Sequence, residues 1–72
     1  MTKLKIKDHE KIQSRIALQG DTLKSFSVKV DVTNQYLSTV IRGKSNPSPL
    51  LAKRIAENLN LSINDIFFAD NG

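Results

Sequence analysis

Cysteine and tryptophan are absent from this 72-residue sequence, histidine and tyrosine occur once each, and there are only three glycines and two prolines. Without cysteine, neither disulfides nor a thiolate zinc site can brace the chain, so a core must be built from the 39% of residues that are hydrophobic. The length allows one such core, not two, and a small helical bundle is the simplest way to form it. No apolar run approaches the roughly 20 residues of a membrane-spanning helix. The basic start also lacks the apolar stretch of a signal peptide, so the chain is expected to be soluble and to act inside the cell, in the cytoplasm. Lack of cysteine fits that reducing compartment. One histidine, no paired carboxylates and no glycine-rich loop leave no parts for a catalytic triad, a two-carboxylate mechanism, a metal site or a nucleotide cradle. No enzymatic activity, cofactor or metal is expected.

Charge is present and uneven. Eleven Lys or Arg oppose seven Asp or Glu, a net of +4. All eleven basic side chains fall within residues 1–54 together with Asp8, Glu10, Asp21 and Asp31, which makes that stretch +7 and leaves −3 for residues 55–72. A positive surface attracts a polyanion, nucleic acid or anionic membrane alike. Interfacial helices usually present Trp or Phe, and Leu4 and Ile6 are a thin anchor, so the membrane is disfavoured.

Hydrophobic spacing and capping residues predict five helices. Residues 1–7 alternate Leu4 and Ile6 with lysines but have no obvious partner strand, and are expected to form a basic arm. Asp8 caps a first helix, with Ile12, Ile16 and Ala17 inward and Leu18 nearby, that stops at Gly20. Thr22 caps a second in which Leu23, Phe26 and Val30 share a face. Thr33 caps a third, with Leu37, Val40 and either Ile41 or Tyr36 facing inward, that ends at Gly43. Ser48 and Pro49 open a fourth, striped by Leu51, Ile55 and Leu59. Ser62 and Asp65 open a fifth containing Ile63, Ile66 and Phe67. The domain is expected over residues 8–69, with a frayed tail at 70–72.

Between the second and third helices lies only the Asp31-Val32 turn, which suits a DNA-binding helix-turn-helix. The outward positions of the third helix, Asn34, Gln35, Ser38 and Thr39, are uncharged donors and acceptors of the kind that pair with adenine edges or meet a thymine methyl. At this point the chain resembles the lambda-repressor-like, Cro/C1-type helix-turn-helix family, from about Ile12 to Phe67. The carriers are Thr22-Leu23-Lys24-Ser25-Phe26-Ser27, Asp31-Val32-Thr33, Leu37 to Lys44 with its Arg42-Gly43-Lys44 element, Asn46-Pro47-Ser48, Ile55 to Leu59 and Leu61 to Phe67. The resemblance implies an all-α, compact five-helix DNA-binding domain with its helix-turn-helix at helices 2 and 3.

It also implies roles. Thr33, Asn34, Gln35 and Thr39, with Ser38 beside them, correspond to base-reading positions. Thr22, Arg42 and Lys44 correspond to phosphate contacts. A solvated polar face and a helix end complemented by basic charge are the plainer alternatives. Several positions depart from the family pattern: Leu23 stands where Gln is usual, Val28 and Ile41 where polar or acidic residues are usual, Tyr36 where small polar residues are frequent, and Asp31 where the turn usually has glycine. Leu23, Val28, Tyr36 and Ile41 are therefore either core or an apolar patch that receives another protein. Ile63 and Phe68 are the candidate homodimer contact.

Small domains of this kind resemble the Cro-like regulators of temperate phages and the modulator-of-repression antirepressors paired with a phage repressor. The expected function is a regulator of a lysis-lysogeny switch that binds operator DNA and acts with a repressor protein. An antirepressor working by protein contact, or an antitoxin, is the alternative.

Overall fold

The computed structural model describes residues 3–71; Met1 and Thr2 of the expected arm and Gly72 of the expected tail lie outside them. The element order is β1 (Lys3–Ile6), α1 (His9–Leu18), α2 (Leu23–Lys29), α3 (Asn34–Ile41), α4 (Pro49–Asn58), α5 (Ile63–Ile66) and β2 (Phe67–Asp70). The fold is mainly helical, as the spacing predicts, with one two-stranded sheet added.

Side-chain caps start the four longer helices. The Asp8 carboxylate accepts from the Glu10 and Lys11 amides at 3.0 and 3.2 Å, and the Thr33 hydroxyl accepts from Tyr36 N–H at 3.0 Å. Thr22 and Ser25 form a reciprocal pair, each side chain accepting from the other's amide at 3.1 and 2.9 Å, so serine replaces the usual Glu or Gln of a capping box. The Ser48 hydroxyl accepts from Leu51 N–H at 3.2 Å, with Pro49 at the first helical position. Before α5, the Asp65 carboxylate accepts from both the amide and the hydroxyl of Ser62, at 2.9 and 3.1 Å.

The same four helices end alike. Gly20, Asp31, Gly43 and Asn60 each take a left-handed φ, between 56° and 84°. The following residue then donates back into the helix: Asp21 to Ile16, Val32 to Ser27, Lys44 to Thr39 and Leu61 to Ala56, at 2.9–3.1 Å. In the α2–α3 turn the left-handed position is held by Asp31, a residue type that tolerates it. That closure turns Val32 back onto the core, where it is half-buried.

The core gathers Ile12 and Ile16 of α1, Phe26 and Val30 of the α2 segment, Leu37, Val40 and Ile41 of α3, the Leu51, Ala52, Ile55, Ala56, Leu59 stripe of α4, and Ile66 with Phe67. Ser27, 2% exposed, is the buried polar exception, and its hydroxyl donates to the Lys24 carbonyl at 2.6 Å. Its small side chain lets α3 pack close against α2.

Three expectations are corrected. Residues 3–6 are not a loose arm, and residues 67–70 are neither helix nor frayed tail. They pair antiparallel, with Lys3 opposite Asp70 and Ile6 opposite Phe67. The alternation in β1 turns Leu4 and Ile6 onto the core and Lys3 and Lys5 to solvent, and Lys5 meets Asp70 at 2.9 Å. Ala17 and Leu18, the latter 82% exposed, face water, because the α1 stripe is only as wide as Ile12 and Ile16. On α3 the inward choice falls on Ile41, leaving Tyr36 outside.

Candidate nucleic-acid interface

The exposed side of α3 follows from its buried side. At about 100° per residue, Leu37, Val40 and Ile41 mark the core direction, so Gln35, Thr39 and Arg42 lie opposite them. Asn34 and Ser38 fall on one flank and Tyr36 on the other. Asn34, Gln35, Ser38, Thr39 and Arg42 line one shallow surface, joined at its edge by Leu23 of α2. The structure thus brings together four of the five positions expected to read bases and one of the three expected to meet phosphate.

Their available chemistry differs. Asn34 and Gln35 are exposed and keep both an amide donor and a carbonyl acceptor for a base edge. The Thr39 hydroxyl donates to the Gln35 carbonyl at 2.9 Å, so toward a partner it offers a lone pair and a methyl group. Thr33 and Thr22 sit at the starts of α3 and α2, where their oxygens already accept backbone amides. Each retains its hydroxyl proton for a phosphate oxygen, which suits Thr33 to backbone contact better than to base reading. Arg42 and Lys44 flank Gly43 and are exposed, while the ion pairs Lys5–Asp70, Lys29–Asp21 and Arg54–Asp31 occupy other basic groups. No acidic residue lies on α3.

Two groups that hold this surface in place were not legible in the sequence. Asp21 precedes α2 and receives Lys29 Nζ at 2.7 Å, Gln19 Nε2 at 2.8 Å and the Ser25 hydroxyl at 2.9 Å. These contacts, Lys29 foremost, hold its carboxyl below the usual carboxylate range. The Asp-Thr-x-x-Ser order was the only local signal for this knot. His9, at the start of α1, donates from Nδ1 to the Ile41 carbonyl and lays its ring against Gly43. It thereby ties α1 to the end of α3, beside Arg42 and Lys44.

The four apolar departures do not share one surface, and they divide between the core and separate faces. Ile41 is 2% exposed and belongs to the core, because the α3 stripe needs it to meet α1. Val28 is 75% exposed on α2, whereas Tyr36 lies across α3 near Lys3 and Pro47. Leu23, half-buried, is the member that borders the α3 surface, and with Ile16 and Ala17 it lines a groove of about 360 Å³ between α1, α2 and α3. Ile63 is half-buried against the core, while Phe68, 45% exposed, stands on the outer face of the sheet.

A helix-turn-helix family model matches residues 12–66, which spans all of α1 except its first turn, the α2–α3 unit, α4 and α5. Among solved structures, the clp gene regulator ClgR from Corynebacterium glutamicum is similar, with a TM-score of 0.69 and 28% identity. The similarity covers 79% of this chain but 61% of that one, so the present chain corresponds to under two thirds of ClgR's length. No curated protein sequence matches significantly. No helix among the described residues is long and apolar enough to cross a membrane.

Proposed function

The chain belongs to the Cro/C1-type helix-turn-helix family of DNA-binding transcription regulators, and from that premise we propose that it binds an operator duplex through α3 and regulates a phage lysis-lysogeny switch together with a repressor protein, in the cytoplasm of a bacterial host. The observation that carries the DNA reading is the outward side of α3. Asn34, Gln35 and Thr39 offer uncharged hydrogen-bonding groups beside the exposed cations Arg42 and Lys44, with no carboxylate on the helix. Phe68, on the outer face of the sheet, is the apolar group a second copy would cover.

A second reading is supported by Leu23. An apolar side chain at the rim of the α3 surface, continuous with the groove between α1, α2 and α3, suits a protein partner better than a phosphate. In this reading the chain is an antirepressor that contacts the repressor there.

One experiment addresses both. Duplexes selected from a randomised library are titrated with the protein, and the partner repressor is co-purified with it. Asn34→Ala with Gln35→Ala should reduce discrimination by about 1–3 kcal/mol for each bidentate base pairing that the amides make. Leu23→Gln should release the repressor while leaving duplex binding intact. Equal binding by wild type and the Asn34, Gln35 variant sinks base reading, and retention of the repressor by Leu23→Gln sinks the contact reading.

A further inference from the structure

The groove of about 360 Å³ between α1, α2 and α3 has a more specific chemistry than an apolar patch. Buried Ile16 and Ile41 make its floor, while exposed Ala17 and half-buried Leu23 are the apolar walls open to solvent. The space admits a side chain and its neighbour, not a whole helix of about 10–12 Å diameter. Two charged groups stand on the walls, and only one is uncommitted. The Asp21 carboxylate already receives Lys29 Nζ, Gln19 Nε2 and the Ser25 hydroxyl at 2.7–2.9 Å, which leaves it little for an incoming cation. Arg42 is exposed and enters no ion pair among the described residues.

We propose that this groove takes an apolar side chain of a protein partner whose adjoining carboxylate pairs with Arg42, and that partner and duplex DNA therefore exclude one another. The proposal rests on the contact reading above and deepens it. Charge complementarity selects the occupant: a carboxylate meets the guanidinium bidentately, while its apolar neighbour covers Leu23 and Ala17. A basic segment would face Arg42 as a like charge, and a phosphodiester alone would leave the apolar walls wet.

Exclusion follows from shared residues. Leu23, Ser38 and Arg42 line both this groove and the outward surface of α3. A partner seated in the groove covers the Ser38 and Arg42 side of that surface. With a second chain on its flank, α3 no longer fits a major groove about 12 Å wide.

The test uses short peptides selected from a randomised library on the full chain, together with a fluorescent library-selected duplex read by anisotropy. Ala17→Glu and Leu18→Glu add the same charge at adjacent exposed positions of α1, and circular dichroism checks that both remain folded. Ala17 lines the groove, whereas Leu18 borders a separate one with Arg15 and Leu59. The selected peptides should be enriched in Asp or Glu beside an aliphatic or aromatic residue. Ala17→Glu should weaken them by about tenfold or more through like-charge repulsion, and Leu18→Glu should stay within about twofold of wild type. Saturating peptide should release the duplex from the wild-type chain. Peptides without acidic enrichment, or equal losses in the two variants, overturn the anchor; peptide and duplex bound at the same time overturn the exclusion. Neither outcome touches the contact reading itself, which stands or falls on release of the repressor by Leu23→Gln. Failure of the wild-type chain to bind any duplex overturns the exclusion together with the DNA reading.

Discussion

Replacing Gly43 by alanine probes how the end of α3 is held. Gly43 lies at φ +79°, and a β-carbon there would stand 2.6 Å from His9 Cε1 and 3.4 Å from Ile6 Cγ2. Two costs arise. A left-handed backbone penalises an L side chain by about 1–2 kcal/mol, offset by roughly 0.4–1 kcal/mol from stiffening the unfolded chain, which leaves about 1 kcal/mol. The His9 ring must also swing aside and give up its hydrogen bond to the Ile41 carbonyl, a further ~0.5–1.5 kcal/mol, along with its packing on the backbone. Gly20 isolates the first cost, because it has φ +84° and nothing within 4 Å of its would-be β-carbon. Gly20→Ala should therefore cost about 1 kcal/mol and Gly43→Ala about 1.5–2.5 kcal/mol. In a domain this small each kcal/mol lowers Tm by about 4–8 °C. In a His9→Ala background the cost of Gly43→Ala should fall to that of Gly20→Ala, a coupling of about 1 kcal/mol or more. Urea titrations followed by helical circular dichroism measure all these values. Equal costs at the two glycines, or an unchanged Gly43→Ala cost once His9 is removed, would refute the clasp.

Two further predictions concern the core and the knot at α2. Ile41→Ala should cost about 2–5 kcal/mol in the same titrations, as a buried aliphatic does, whereas Val28→Ala, at a 75% exposed site, should stay within ~0.5 kcal/mol; comparable losses would contradict the packing of α3. Asp21 has its carboxyl held low in the folded state, chiefly by Lys29. Its contribution to stability is complete above the ordinary carboxylate value of about 3.9 and is lost as pH falls through the lowered folded value. Melting curves of wild type and Asp21→Asn should accordingly differ at neutral pH and converge in strong acid, and a gap that persists unchanged below both values would contradict the linkage.

Each helix could be read locally because its ends are made by neighbouring residues. Asp8, Thr22, Thr33 and Ser48 cap amides two or three positions along, and Gly20 and Gly43 close α1 and α3 one residue past their caps. The strand pairing was invisible for the opposite reason. Phe67 to Asp70 reads as the end of α5 and a tail until Lys3 to Ile6, at the far end of the chain, supplies partners for its amides and carbonyls. The apolar departures were open for the same reason: comparison with the family pattern marks Leu23, Val28, Tyr36 and Ile41 as unusual on wet faces, but only packing decides which of them finds a core.

By itself, the sequence determined the helices, their order, the α2–α3 turn and the polar inventory of α3, because capping, periodicity and turn closure act over a few residues. The tertiary structure alone decided that Ile41 is core and Tyr36 is surface, that His9 meets Gly43, that Asp21 is enclosed by three donors, and that Lys3 lies beside Tyr36 and Asn46. Those relations join residues with no regular spacing along the chain, and they exist only once the shared core has set the distance between the elements that carry them.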